Sequence, residues 1–134
     1  MIRSIVILFL VTVIAAIGCS KKTDVSKFAG AWNGSYNSAI ITLTGSDTGT
    51  VHIVVDANNN ATGTLQSLRG GTPSVMKGKV DPSSGAISIT AYGEENYGVT
   101  IFLEALTGTL SGNAGSGTLA FPWATTSEWR ATRN

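Results

Sequence analysis

The side chains in this chain that are able to do chemistry are few, and their spacing limits what they can do. His52 is the only histidine and Cys19 the only cysteine. The usual zinc sets take three or four ligands from histidine, thiolate and carboxylate, and a lone histidine does not assemble one. Serine hydrolase chemistry needs an activated nucleophile, but no Gly-x-Ser-x-Gly elbow occurs and His52 has no local partner. Its setting, Val51-His52-Ile53, alternates apolar and polar residues and predicts a strand with His52 on the surface face. Glu94 and Glu95 are adjacent in an expected turn, where neighbouring carboxylates do not converge on one substrate and read as a solvated tip. Asp56-Ala57-Asn58-Asn59-Asn60 opens like a calcium loop. Ala61, however, stands where that loop needs glycine, and Ser67 where it needs glutamate, so a hairpin turn accounts for the same residues. Gly78-Lys79 is flanked by Pro73 and Val80 at the positions where a phosphate loop needs glycine and a hydroxyl residue. No catalytic set, cofactor or metal site is expected.

Cys19 has a different context. Residues 1–19 read MIRSIVILFLVTVIAAIGC: one positive charge at Arg3, an apolar run from Ile5 to Ile17, then small residues. That is the order of regions in an export signal. As a helix the apolar run spans about 20 Å, short against a bilayer core of ~30 Å, so it suits removal better than anchoring. The run Ala16-Ile17-Gly18-Cys19 resembles the lipobox of bacterial lipoproteins, with Ala16 where that family more often has leucine. The resemblance implies a signal peptide at 1–18, cleavage before Cys19, diacylglycerol on its thiol and acylation (palmitate-type chains) of the new amino group. Two or three acyl chains anchor stably where one does not, since each buried methylene adds ~0.8 kcal/mol. Residues 19–27 are then a lipidated cysteine and a polar tether. Ser20, in place of aspartate, resembles the outer-membrane class of enterobacterial lipoproteins.

Residues 28–134 read as a single all-β domain. From Phe28 onward no ten-residue stretch repeats its apolar positions at the helical period, whereas short alternating runs separated by turn residues recur. Expected strands cover 31–36, 39–44, 50–56, 61–68, 74–80, 86–92, 99–110, 117–121 and 128–132. The connections between them include Gly45 to Gly49, Ala57 to Asn60, Asp81 to Gly85 and Gly112 to Ser116. Short connections favour antiparallel neighbours, which gives a meander of eight or nine strands. The pattern Thr-Gly-Thr-apolar recurs at Thr48, Thr62 and Thr107, and with serine in first place at Ser116. Glycine inside strands marks bends, and a bent sheet of this size gains by closing into a small barrel that removes its edges. The 99–110 segment is expected to bend near Gly108 or to split around Glu104.

The two ends of the domain carry a second resemblance. Gly30-Ala31-Trp32 opens the first strand and Trp129-Arg130-Ala131-Thr132-Arg133 closes the last. This is similar to the closure of calycin-like barrels such as lipocalins and avidins, in which a basic side chain from the last strand covers a Gly-x-Trp on the first. The resemblance implies Trp32 in the aromatic role and Arg130 or Arg133 in the basic one.

Nine basic and eight acidic residues become eight of each once Arg3 leaves with the leader, so no basic surface points to nucleic acid. The sequence leads to a lipid-anchored cell-envelope module of the outer membrane, non-enzymatic, with a membrane contact through Cys19 and an envelope protein as partner. Tyr92, Tyr97 and Trp123, aromatic residues at or near connections, are the candidate ligand or partner contacts. Two alternatives stand beside it: a calycin-like carrier with a small apolar ligand inside the barrel, and an envelope enzyme or enzyme inhibitor acting through loop residues.

Overall fold

The computed structural model describes residues 24–40, 46–92, 102–121 and 124–134. Eight strands follow in chain order: β1 (Gly30–Ile40), β2 (Ser46–Val55), β3 (Asn60–Ser67), β4 (Ser74–Val80), β5 (Ala86–Tyr92), β6 (Phe102–Ser111), β7 (Ala114–Ala120) and β8 (Ala124–Arg133). Each pairs antiparallel with its sequence neighbours, and β1 pairs with β8, so the meander closes into a barrel.

The expected break between 36 and 39 does not occur. Asn37 and Ser38 pair on both edges, with Thr48 and Asp47 of β2 and with Glu128 and Ser127 of β8, so two expected strands are one. Ser46 to Gly49, expected as a turn, is the first part of β2. In both cases ladder pairing on neighbouring strands overrides the local turn preference of Ser, Asn and Gly. β6 runs unbroken past Glu104 and Gly108, and its one irregularity is a register shift opposite Ala91 and Tyr92.

Alternation sorts the side chains. Val51, Ile53 and Val55 face the interior while Thr50 and His52 face out, and the same parity holds in β3 and β5. The interior is filled by side chains: Trp32, Ile53, Met76, Ile89, Leu106 and Trp129 are all buried. The outward positions are mainly Thr, Ser, Asn, Lys and Ala, as in Asn60-Thr62-Thr64 and Ser116-Thr118. A membrane-spanning barrel has the opposite arrangement, with apolar residues on the outside.

The repeated glycines take inward positions and let the wall coil. Gly108 and Gly117 face each other across β6 and β7, and a Cβ on Gly117 would lie 1.9 Å from the Thr107 carbonyl oxygen. That carbonyl is reached from the interior by the Trp129 indole, whose Nε1 donates to it at 2.9 Å. Gly49 and Gly63 leave room for the Tyr36 ring and the Ile89 side chain. The small-next-to-large pairing is what a narrow barrel needs to fill itself.

The β2–β3, β4–β5 and β6–β7 hairpins lie at one end, which the chain plugs before β1 begins. Phe28 is buried there, its carbonyl accepts from Trp32 Nε1 at 3.0 Å, and Ser26 N–H donates to the Ala57 carbonyl at 3.0 Å. By the alternation of the meander, β1, β3, β5 and β7 end at the opposite end.

Candidate functional site

Inward-facing residues change character toward the end opposite the plug. β1 contributes Tyr36 and Ser38 there, β2 Asp47, β3 Ser67, β4 Ser74, β6 Glu104 and β8 Ser127. These are inward positions of otherwise apolar strands, so their polar atoms need partners within the barrel. Asp47 receives two: the Tyr36 hydroxyl donates to Oδ2 at 3.0 Å and the Ser67 hydroxyl to Oδ1 at 2.7 Å. Ser38 and Ser127, both buried, share a hydrogen bond of 2.7 Å across the β1–β8 seam. The Tyr36 ring lies 6.1 Å from that of Phe121, tilted by 52°.

Glu104 is the exception to this economy. It is only 8 % exposed; Oε1 accepts from the Ser74 hydroxyl at 3.0 Å, and Oε2 is buried with no hydrogen-bond partner among the described residues. Burial pushes its carboxyl above the usual range, and the Ser74 hydroxyl offsets only part of that. Tyr36 is pushed up to about 12, first by burial, then by its hydrogen bond to Asp47 and the negative charges of Asp47 and Glu104. Asp47 acts on the phenol through both its hydrogen bond and its charge, and Glu104 through charge alone, as the smallest contribution.

Among the described residues, three concave features lie away from Glu104: one of about 290 Å³ at the plugged end, beside Lys27, Phe28 and Arg133, and two on the outer wall. A groove of about 690 Å³ is lined by outward residues of β6 to β8, among them Thr109, Ser116, Thr118, Glu128 and Arg130, and one of about 300 Å³ lies across β8 beside Ser35, Asn37 and Leu68. Threonine and serine side chains contribute to the larger groove.

The residues singled out in the sequence fall in several places. Trp32 is fully buried, and Arg133 covers it, its guanidinium carbon 5.2 Å from the ring centroid. Arg130 does not share this role. It sits an odd number of positions from Arg133, so alternation turns it outward, where it lines the two wall grooves. His52 is exposed and bonds through Nδ1 to the Asn33 side-chain oxygen. Asp56 to Asn60 form a hairpin turn in which Asp56 Oδ1 accepts from the N–H groups of Asn58 and Asn60, while Asn59 takes a positive φ of 64°. Tyr92 ends β5, paired with Phe102. Cys19, Glu94, Glu95, Tyr97 and Trp123 lie outside the described residues.

Tyr36, Asp47 and Glu104 were not singled out in the sequence. A signal existed for Glu104: with Leu106 and Leu110 it occupies the inward parity of β6, and a carboxyl in an apolar stripe is costly unless it is used. Among the described residues no three His, Cys, Asp or Glu side chains converge as a metal-binding group.

Fold and site together define a closed, eight-stranded antiparallel meander barrel, plugged at one end and polar inside the other. No family model, curated protein or solved structure matches the chain.

Proposed function

We propose that this chain is a lipid-anchored, non-enzymatic module of the cell envelope, held in the outer membrane through Cys19, which binds a ligand or partner envelope component at the end of its barrel remote from the anchor. The observation that supports this reading is where the chain joins the barrel. Residues 24–29 run along the plugged end, with Ser26 bonded to Ala57 and the buried Phe28 accepting through its carbonyl from Trp32. The stretch from Ser20 to Val25 extends at most about 20 Å. A lipidated Cys19 therefore keeps the plugged end near the bilayer and turns the polar end, with Tyr36, Asp47 and Glu104, away from it. The packed apolar interior supports binding at this rim rather than inside a lumen.

Two measurements test the reading. Labelled palmitate should enter the wild-type protein and not Cys19→Ala, which should leave the membrane fraction. For orientation, single labels at Ser83→Cys, in the β4–β5 turn, and at Thr72→Cys, between β3 and β4, are compared in vesicles that contain a quenching lipid. Strong quenching at 83 and weak quenching at 72 is expected, and equal quenching would overturn the proposed presentation.

A further inference from the structure

We infer that the polar end of the barrel is a binding site for a ligand bearing an alkylammonium group, which donates to Glu104 Oε2. The inference rests on the reading of that end as the binding face and adds the chemistry of what is bound. Its starting point is the orphaned oxygen: a carboxyl in its ionised form only accepts, and a cation favours that form, so a positively charged donor both satisfies Glu104 Oε2 and offsets the cost of its charge. The oxygen is not a surface atom left to bulk water, because the residue is more than nine-tenths buried and inward by parity with Leu106 and Leu110.

The surroundings select a cation over a neutral donor. Glu104 and Asp47 are both carboxyls at inward positions of this end, and among the described residues the hydrogen bonds made to them come from hydroxyls: Ser74, Ser67 and Tyr36. Those hydroxyls hold the carboxyls in place without neutralising them. Tyr36 and Phe121 pack ring against ring at the same end, and aromatic rings attract ammonium groups through their quadrupole. A carboxylate–ammonium hydrogen bond in such a setting is charge-assisted, roughly twice as strong as a neutral one. A ligand with an anionic head would instead meet two carboxyls.

The test titrates the full chain in detergent micelles with n-butylammonium chloride, with n-butanol and sodium butyrate as matched neutral and anionic probes. Amide NMR shifts at Tyr36, Ser74 and Glu104 are followed. Saturable shifts with the ammonium probe alone are expected, weakened by about tenfold in Glu104→Gln and unchanged in the outer-wall variant His52→Ala. Ser74→Ala, which frees the Glu104 carboxyl from its one hydroxyl, gives an independent measure and should weaken binding less; it decides the matter if Glu104→Gln does not fold. Equal shifts with n-butanol would mean that the oxygen merely takes water or a hydroxyl, and would overturn the inference. So would absence of saturation, or unaltered affinity in both Glu104→Gln and Ser74→Ala. None of these outcomes depends on lipidation or orientation, so the inference and the proposed function fail separately.

Discussion

The Arg133 guanidinium lies over the Trp32 indole at 5.2 Å and ties the last strand to the segment that precedes the first. Its Nη1 donates to the Lys27 carbonyl at 2.6 Å, while Nε and Nη2 donate to Asn113 Oδ1 at 3.2 and 3.0 Å. One side chain thus connects the N-terminal plug, the β6–β7 turn and β8. A planar cation with several donors in fixed directions can do this, and a point charge on a flexible stem cannot.

Arg133→Ala should lower stability by about 2 kcal/mol, from lost ring stacking and charge-assisted hydrogen bonds. Arg133→Lys should recover less than half of the loss. Urea unfolding of the two variants beside wild type measures this, and full rescue by lysine would show that charge alone matters. Arg130→Ala, on the outer wall, should leave the midpoint nearly unchanged.

The inward glycines make a sharper prediction. A Cβ at Gly34 would sit 1.7 Å from the Arg130 carbonyl oxygen and 2.6 Å from the Ala131 Cα, both backbone atoms on the closing seam. Gly34→Ala must therefore push β1 and β8 apart, at a cost of about 3 kcal/mol or more. Gly70→Ala meets nothing within 4 Å, and its penalty comes only from a φ of +93°. That strain is worth ~1–2 kcal/mol. Thermal melts should rank Gly34→Ala well below Gly70→Ala, and the reverse order would mean that the seam is less tightly coiled.

Strand alternation and turn chemistry made most of this fold legible. Val51-His52-Ile53 announced its burial pattern, and the Asp81 to Gly85 turn came where Pro and Gly placed it. Ser38 and Asp47 were misleading because their hydrogen-bond partners, Ser127 and Tyr36, are distant in sequence; local preference favours a turn until those partners are known. The same holds for the candidate site. Aromatic residues near connections drew attention, whereas the residues that meet inside the barrel come from six strands, and only closure brings them together.

Two turn aspartates should govern behaviour in acid. Asp81 accepts from the Ser83 hydroxyl and from the N–H groups of Ser83 and Ser84, and Asp56 accepts from Asn60 and Asn58. These bonds hold both carboxyls below their ordinary value of 3.8. A depressed folded-state pKa stabilises the fold above the unfolded value and loses that contribution as pH falls below it. Unfolding midpoints should drop as pH falls below about 4, and Asp81→Asn should show a shallower drop. An unchanged acid limb in that variant would count against the assignment.

Tyr36 governs the alkaline side. Its hydroxyl stays protonated in the fold up to about 12, whereas in the unfolded chain it ionises near 10.0. Stability should therefore fall as pH rises from 10 toward 12, since the unfolded state gives up its proton first. Tyr36→Phe should remove this contribution while lowering stability at neutral pH by ~1–3 kcal/mol, because Asp47 Oδ2 loses its donor. Stability curves of both proteins between pH 8 and pH 12 separate the two effects.

Glu104 works against the fold at neutral pH, which is the expected cost of a buried carboxyl kept for a ligand. Its folded-state pKa is raised above the ordinary 4.5, so below that value both states are protonated and no ionisation cost arises. As pH rises from there toward the folded value, the unfolded chain releases its proton while the folded one retains it, and stability declines. Glu104→Gln keeps the shape, keeps an acceptor for Ser74 and removes the ionisation. The variant should be more stable than wild type at pH near 8, with the advantage shrinking toward pH 4.5 and below. A variant less stable at every pH would mean that the ionised carboxyl is already satisfied within the barrel, leaving no role there for an incoming cation.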